Sequence, residues 1–176
     1  MKILAISGSL RKDSYNTALA RAMQELAPAG MEIELADIST LPLYNQDLEA
    51  AFPAEAAAFK EKVEAADGII MVTPEYNRSV PPALSNAIDW ASRPWGKSSW
   101  AGKQVLTAGV TVGKTGTTIG QSHLRHMLLY LDMRVLGQPE LYFNAGELFD
   151  ASGALVEGSR DFIAKALGAL AARIGA

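Results

Sequence analysis

Apolar residues along this chain follow two spacings, one typical of buried strands and one typical of amphipathic helices. Short, nearly continuous apolar runs end at Gly8 and before Pro74, as strands of a parallel sheet do. Between these runs, apolar residues recur every three or four positions, which predicts helices. The predicted strands cover residues 2–7, 32–36, 68–73, 104–112 and 134–136, and the predicted helices cover residues 14–27, 54–66, 79–91, 120–131 and 159–174.

Strands and helices alternate along all 176 residues. This alternation predicts an α/β protein whose parallel sheet lies between two layers of helices, joined by right-handed crossovers. Five strands fit the flavodoxin-like order 2-1-3-4-5 better than the six-stranded order of dinucleotide-binding folds. We therefore expect a single flavodoxin-like domain over residues 1–176, a three-layer sandwich with a five-stranded sheet.

Composition and charge narrow the possible chemistry. The chain has no cysteine and a formal net charge of −3. Thiolate nucleophiles, disulfides, iron–sulfur clusters and cysteine zinc sites are excluded, so redox chemistry requires a bound cofactor. The small charge does not indicate a nucleic-acid partner. No window is long and apolar enough to span a membrane, and the first residues lack a signal-peptide pattern, so we expect a cytoplasmic protein.

The loop over residues 8–17 is the first candidate site. Ligands of open parallel sheets bind beyond the carboxyl ends of the strands, and this loop joins a predicted strand to a helix start. Free backbone amides and the helix dipole favour an anion there. The loop adds short polar side chains and a guanidinium suited to phosphate, namely Ser9, Arg11, Ser14, Asn16 and Thr17. A polar turn with Ser14 as helix cap is the alternative interpretation.

Two common nucleotide-binding motifs are incomplete. Leu10 and Asp13 do not supply the glycines that the dinucleotide motif G-x-G-x-x-G requires after Gly8. Asp37, after the second predicted strand, is therefore expected to be a turn residue rather than a ribose ligand. Residues 113–115 read Gly-Lys-Thr, as at the end of a P-loop, but an alanine stands where its leading glycine belongs. A cofactor with a single phosphate fits better.

Two further loops follow the third and fourth predicted strands. In residues 74–79, backbone amides near Tyr76 and Asn77 can bond the polar edge of a flat ring, and Arg78 can meet a second anion. A tight turn with an exposed tyrosine is equally consistent with this segment. In residues 111–118, glycines permit close approach to a ligand and hydroxyls can bond it, although a mobile connection has a similar composition.

In this order and spacing, the motifs resemble those of the NADPH-dependent FMN reductase family, whose members include quinone, chromate and azo-dye reductases. The resemblance rests on Gly8-Ser9-Leu10-Arg11, Ser14-Tyr15-Asn16, and Thr73-Pro74-Glu75-Tyr76-Asn77 running to Asn86-Ala87-Ile88-Asp89-Trp90. It implies that FMN phosphate binds at Ser9, Arg11, Ser14, Asn16 and Thr17. It places the isoalloxazine at Pro74, Glu75, Tyr76, Asn77 and Ser79, bordered by Thr111 and Gly113. This chain departs from the family by Pro82 and by the absence of a Gly-Gly pair in the third loop.

The resemblance also implies a ping-pong reaction. A reduced nicotinamide, NADPH or NADH, passes hydride to FMN and leaves before a small acceptor is reduced. We assign no catalytic side chain, and we expect no metal site at His123 and His126. Arg78 or Arg11 is the candidate for binding the nicotinamide phosphates.

Oligomeric state and the role of the tryptophans are further expectations. Members of this family usually form homodimers or homotetramers, which suggests contacts at Arg125 and Tyr130. Trp90, Trp95 and Trp100 either wall the acceptor site or serve core packing and subunit contacts. The alternative function is a flavodoxin-type electron carrier that does not itself oxidise NAD(P)H. The mild charge and the absence of an acidic run favour an enzyme.

Overall fold

A parallel sheet flanked by helices on both faces forms the framework of the computed structural model, which describes residues 1–176. The strands are β1 (Lys2–Ser7), β2 (Glu32–Ala36), β3 (Gly68–Val72), β4 (Gln104–Thr111), β5 (Arg134–Val135) and β6 (Leu141–Asn144). The helices are α1 (Tyr15–Glu25), α2 (Ala54–Ala65), α3 (Pro82–Ala91), α4 (Thr118–Tyr130), α5 (Ala145–Leu148) and α6 (Glu157–Ile174), with a 3-10 helix at Gln46–Ala51. None of the helices has the length and apolar character of a membrane span.

The strand order 2-1-3-4-5 is confirmed, and every strand pair is parallel. The fifth position of the sheet is shared by two short strands. β5 pairs with residues 104–105 of β4, and β6 pairs with residues 108–111. The strand predicted at residues 134–136 is therefore only one of the two strands at this position. Pro139 lies between the halves and cannot donate a ladder hydrogen bond, which is consistent with the interruption.

The two faces of the sheet pack against different helices, which confirms the three-layer arrangement. On β3, Ile70 and Val72 join the core cluster that includes residues of α1 and α6. Ile69 and Met71, which alternate with them, join the cluster that includes residues of α2, α3 and α4. Because both faces are covered, all five residues of β3 are buried. This explains the continuous apolar run in the sequence.

The parallel register brings three loops to one edge of the sheet. Ser7 of β1 pairs with Val72 of β3, and Val72 pairs with Ala108 of β4. The connections after these strands therefore leave the same edge of the sheet, which we call the carboxyl edge, although β4 continues beyond Ala108 to Thr111. We call the opposite edge, where the strands begin, the amino edge. Neighbouring strands lie about 4.8 Å apart, so the three loops span roughly 10 Å.

Candidate functional site

The loop between β1 and α1 presents backbone donors at the carboxyl edge. Ser14 caps α1, and its Oγ accepts hydrogen bonds from the amides of Asn16 and Thr17 at 3.2 and 3.3 Å. Other amides of this segment have no protein acceptor, namely those of Leu10, Lys12, Asp13, Ser14 and Tyr15. Unpaired amides at a helix start form an anion-binding arrangement. Ser14 and Thr17 also line an 860 Å³ cavity between α1 and residues 144–153, which we call the α1 cavity.

The side chain of Asn16 forms its hydrogen bonds within the protein. Its side chain is buried and holds β4, because Nδ2 donates to the Val110 carbonyl at 3.0 Å and Oδ1 accepts from the Val110 amide at 2.9 Å. The side-chain amide therefore joins the first turn of α1 to β4. Nearby, the hydroxyls of Ser7 and Thr17 share a hydrogen bond of 2.9 Å. These contacts fix the position of the loop relative to the sheet.

Ser9 and Arg11 complete the set of residues predicted to bind the phosphate. Ser9 is buried, and its Oγ accepts a 3.4 Å hydrogen bond from the Arg11 amide. The Arg11 guanidinium lies over the ring of Tyr15, with 5.6 Å between its carbon and the ring centroid. Tyr15 in turn stacks on Phe149. Arg11 thus lies at the outer side of the loop, where it has no hydrogen-bonded partner to fix its direction.

Residues 76–79 form a tight turn, as one of the two interpretations of this segment expected. The Tyr76 amide donates to the Ser79 carbonyl at 3.1 Å, and the Ser79 amide donates to the Tyr76 carbonyl at 2.9 Å. Asn77 and Arg78 have φ values of 51° and 61°, the left-handed pair typical of a two-residue hairpin turn. The Tyr76 amide is therefore used within the turn, whereas the Asn77 amide has no protein acceptor.

Glu75 connects this turn to the start of α4. Its side chain is only 6% exposed, and both carboxylate oxygens have partners. Oε2 accepts from the Gly120 amide at 2.8 Å, and Oε1 accepts from Nη1 of Arg78 at 3.0 Å. A Cβ at position 120 would lie 3.2 Å from both Glu75 Cγ and the Ser79 carbonyl oxygen, so a glycine permits this approach. The carboxylate is also favoured by the dipole of α4.

The third loop closes on the second. Nη1 of Arg78 also donates to Thr115 Oγ1 at 3.1 Å. Together the two loops surround a 420 Å³ cavity that we call the loop cavity, lined only by polar residues and glycines: Glu75, Asn77, Arg78, Thr111, Gly113, Lys114, Thr115 and Gly116. The structure thus brings together two predicted ring-binding residues, Glu75 and Asn77, with Thr111 and Gly113. Pro74 is buried beneath the turn, and Ser79 Oγ shares a 3.2 Å hydrogen bond with His123 Nδ1.

Asn144 is a residue of this edge that sequence reasoning missed. Its Nδ2 donates to the carbonyls of Val112 and Gly113 at 3.3 and 3.1 Å, and its Oδ1 caps α5 by accepting from the Gly146 amide at 2.9 Å. It therefore fixes the start of the third loop. The available signal was an asparagine followed by helix-forming residues, which is weak without knowledge of β6.

Each of the three loops also exposes one large apolar side chain. Leu10, Tyr76 and Val112 are 58%, 45% and 77% exposed. Three apolar side chains on adjacent loops beside unpaired amides suit a ligand that combines a flat ring with an anionic end. Leu10 and Val112 were not among the predicted site residues, because a lone apolar residue in a loop carries no distinctive sequence signal.

Several other sequence candidates lie away from this edge. Trp90 and Trp100 are fully buried, and their indole nitrogens donate to the Pro42 and Ile88 carbonyls. Trp95 follows α3 at the amino edge, so within one chain none of the three tryptophans walls the site. Asp37 accepts a 2.8 Å hydrogen bond from the Ser39 amide, which confirms its expected role in a turn.

Two ionisable groups that line cavities near this edge have shifted pKa values. Hydrogen bonds from Ser152, and from backbone amides including that of Ala154, lower the pKa of Asp150, which borders the α1 cavity. Burial, and then a hydrogen bond to Glu140, raise the pKa of Tyr142. The Asp150 carboxylate orders the segment before α6, and the Tyr142 phenol stays protonated at neutral pH.

The fold, the helix-start loop and the apolar positions define a flavodoxin-like protein of the class that holds a mononucleotide at the carboxyl edge of its sheet. The sequence model described as NADPH-dependent FMN reductase matches residues 1–147. The chain belongs to the NADPH-dependent FMN reductase family. It is therefore an NAD(P)H-dependent enzyme with FMN as cofactor, as expected.

Similar proteins extend over nearly the whole chain. A 2-hydroxy-1,4-benzoquinone reductase from Burkholderia is 49% identical over 165 residues, covering 93% of this chain and 90% of that protein. An NAD(P)H-dependent FMN reductase from Pseudomonas aeruginosa is 45% identical and covers 97% and 93%. The solved structure of FerB, a flavoenzyme NAD(P)H:(acceptor) oxidoreductase from Paracoccus denitrificans, has a TM-score of 0.91 at 36% identity, covering 99% and 97%.

Proposed function

We propose that this enzyme reduces quinones with electrons from NAD(P)H, using FMN bound at the carboxyl edge. The observation that carries the proposal is the combination of unpaired amides at the start of α1 with one exposed apolar side chain on each of the three loops. This arrangement suits a phosphate joined to a flat ring. The name of the Burkholderia relative, a benzoquinone reductase, supports the choice of reaction.

We assign the FMN phosphate to the first loop, at Ser9, Arg11, Ser14, Asn16 and Thr17. Hydroxyls and backbone amides supply most of this site, since the Asn16 side chain is engaged with β4. We assign the isoalloxazine to the second and third loops, at Pro74, Glu75, Tyr76, Asn77, Ser79, Thr111 and Gly113. Here Glu75 acts by fixing the turn, and the Asn77 amide, which has no protein acceptor, is available to the ring.

The overall reaction is NAD(P)H plus a quinone plus a proton, giving NAD(P)⁺ and a hydroquinone. Bound FMN supplies the two-electron chemistry, and exchange of the nicotinamide for the quinone at one face gives a ping-pong order. The chain's own residues bind and orient the reactants. Leu10, Tyr76 and Val112 would contact the ring, and no side chain is required to transfer a proton at the reacting atom.

Steady-state kinetics test this proposal. The purified protein is expected to contain about one FMN per chain and to oxidise NADPH with 1,4-benzoquinone, with parallel lines in double-reciprocal plots. A panel of chromate, an azo dye and free FMN ranks the other acceptors, with the quinone expected first. FMN binding without NADPH oxidation unless a separate reductase is added would contradict the proposal and support an electron carrier.

The enzyme is further expected to form a homodimer or homotetramer through α3 and α4. Leu129 and Tyr130 on α4 and Trp95 after α3 are 65%, 72% and 76% exposed. Arg93, Trp95 and Tyr130 line a 310 Å³ groove between these helices. Exposed apolar clusters of this kind are typical of subunit contacts. Light scattering that gives the mass of a single chain at micromolar concentration would exclude the assembly.

A further inference from the structure

Arg78 has the geometry of a fixed anion receptor. Both hydrogen bonds of its guanidinium use Nη1, which donates to Glu75 Oε1 and to Thr115 Oγ1. Nε and Nη2 make no hydrogen bond to a protein acceptor, and the side chain is 62% exposed. These two nitrogens form the edge of the guanidinium that binds a phosphate through two parallel hydrogen bonds.

The surroundings hold this guanidinium in place before any ligand arrives. The backbone of Arg78 is in the left-handed region, inside a turn closed by two hydrogen bonds. Its anchor Glu75 is buried and is itself bound to the Gly120 amide. Ordering a long side chain in advance reduces the entropy lost when a ligand binds. The guanidinium of Arg11, the other candidate, lies over the ring of Tyr15 but has no hydrogen bond that fixes its direction.

The loop cavity around Arg78 favours an anion. Its cationic side chains are Arg78 and Lys114, and Lys114 has no ion-pair partner. The carboxylate of Glu75 is compensated by the Gly120 amide and by Arg78 itself. No apolar side chain lines this cavity. Lys114, Thr115 and Gly116 also line a neighbouring 530 Å³ cavity with Tyr142, so the groove continues away from the sheet edge.

We propose that Arg78, assisted by Lys114, binds a phosphate of the reduced nicotinamide dinucleotide and sets the preference for that co-substrate. This inference rests on the proposed function, because the dinucleotide must reach the flavin ring beside the loop cavity. The site accepts either the 2′-phosphate of NADPH or the pyrophosphate common to NADPH and NADH. Glu75 acts as a positioning residue for Arg78.

The test is equilibrium titration of the FMN-loaded protein with the oxidised dinucleotides NADP⁺ and NAD⁺, which bind without turnover. Calorimetry or the flavin absorbance change gives each Kd. Arg78→Gln is expected to weaken NADP⁺ binding by about tenfold, and Arg78→Lys, which keeps the charge but not the two-nitrogen edge, by roughly threefold. The control Arg173→Gln removes the same charge from the last turn of α6 at the amino edge and is expected to leave both Kd values unchanged.

The two dinucleotides identify the phosphate. Loss of NADP⁺ affinity alone assigns the 2′-phosphate, and equal loss for both assigns the pyrophosphate. Added salt is expected to weaken NADP⁺ binding more for the wild-type protein than for Arg78→Gln. An Arg78→Gln protein that keeps FMN and binds both dinucleotides as tightly as wild type would overturn the inference. The proposed function fails separately, if the wild-type protein lacks FMN or does not reduce quinone.

Discussion

The two edges of the sheet differ in whether their polar groups are hydrogen-bonded and their large apolar side chains are buried. At the amino edge, polar groups bond within the protein. Lys103 Nζ donates to the carbonyls of Glu64 and Ala66, and the large apolar Trp100 is fully buried. At the carboxyl edge, amides of the first loop lack protein acceptors, and Leu10 is exposed. The comparison shows which edge contributes stability and which remains available for a ligand.

The carboxyl edge nevertheless has a rigid base. Asn16 joins α1 to β4, and Glu75 joins the second loop to α4. These two side chains are buried and satisfied within the protein, whereas the groups above them are exposed. A ligand site therefore consists here of free donors on a fixed support, which is the arrangement that lowers the cost of binding.

The largest expected effect is a difference in unfolding free energy between variants at the two edges. Trp100→Ala removes a fully buried side chain and its indole hydrogen bond, so we expect a loss of about 3–5 kcal/mol in the free energy of unfolding. Leu10→Ala is the counterpart at the carboxyl edge, with an expected change of at most about 0.5 kcal/mol and weaker FMN binding. Urea unfolding and FMN titration measure both quantities. Similar unfolding free energies for the two variants would remove the distinction.

Asn16→Ala tests the support of the first loop. The change leaves the amide and carbonyl of Val110 buried without partners, so we expect a loss of about 2–4 kcal/mol. Weaker FMN binding is expected to accompany it, because the loop loses its attachment to β4. Asn45→Ala, which removes an exposed cap of the 3-10 helix, is the control and is expected to leave FMN affinity unchanged. If Asn16→Ala has the unfolding free energy of the wild-type protein, Asn16 does not support the first loop.

Ser14→Ala is expected to change FMN binding more than stability. Loss of the helix cap costs about 1 kcal/mol. FMN affinity is expected to fall by about tenfold, while riboflavin, which lacks the phosphate, is expected to bind both proteins equally. Ser92→Ala removes a hydroxyl at the other end of the sheet as a control. A parallel loss of riboflavin affinity would place the phosphate away from Ser14.

The smallest expected effect is a pH dependence at the amino edge. A hydrogen bond from Ser99, assisted by Lys60, lowers the pKa of Glu64. The ionised carboxylate therefore stabilises the fold above the ordinary glutamate pKa, and this contribution is lost as the pH falls through the lowered value. Because this side chain is 55% exposed, the contribution is below about 1 kcal/mol. Glu64→Gln is expected to be less stable than wild type at pH 7 and to approach it under acid conditions, as measured by urea unfolding.

Periodicity was enough to predict β1, β3 and β4, because each is a run of mostly buried residues. The strand order came from matching five strands to the flavodoxin-like fold. It missed β6, a four-residue strand that is mostly half-buried and has no distinct pattern. The loops at the carboxyl edge could likewise be located from the order of strands and helices. The contacts within them could not be predicted. Asn16 and Val110 lie 94 positions apart, and the left-handed φ values occur at Asn77 and Arg78, where no glycine indicates such a conformation.

A crystal structure of the protein with FMN tests the central claim most directly. We expect the phosphate within hydrogen-bond distance of the Ser14 and Thr17 hydroxyls and of the amides of Lys12 and Asp13. The ring is expected to extend toward Tyr76 and the third loop. A phosphate bound outside the first loop, with those amides turned to solvent, would contradict the account.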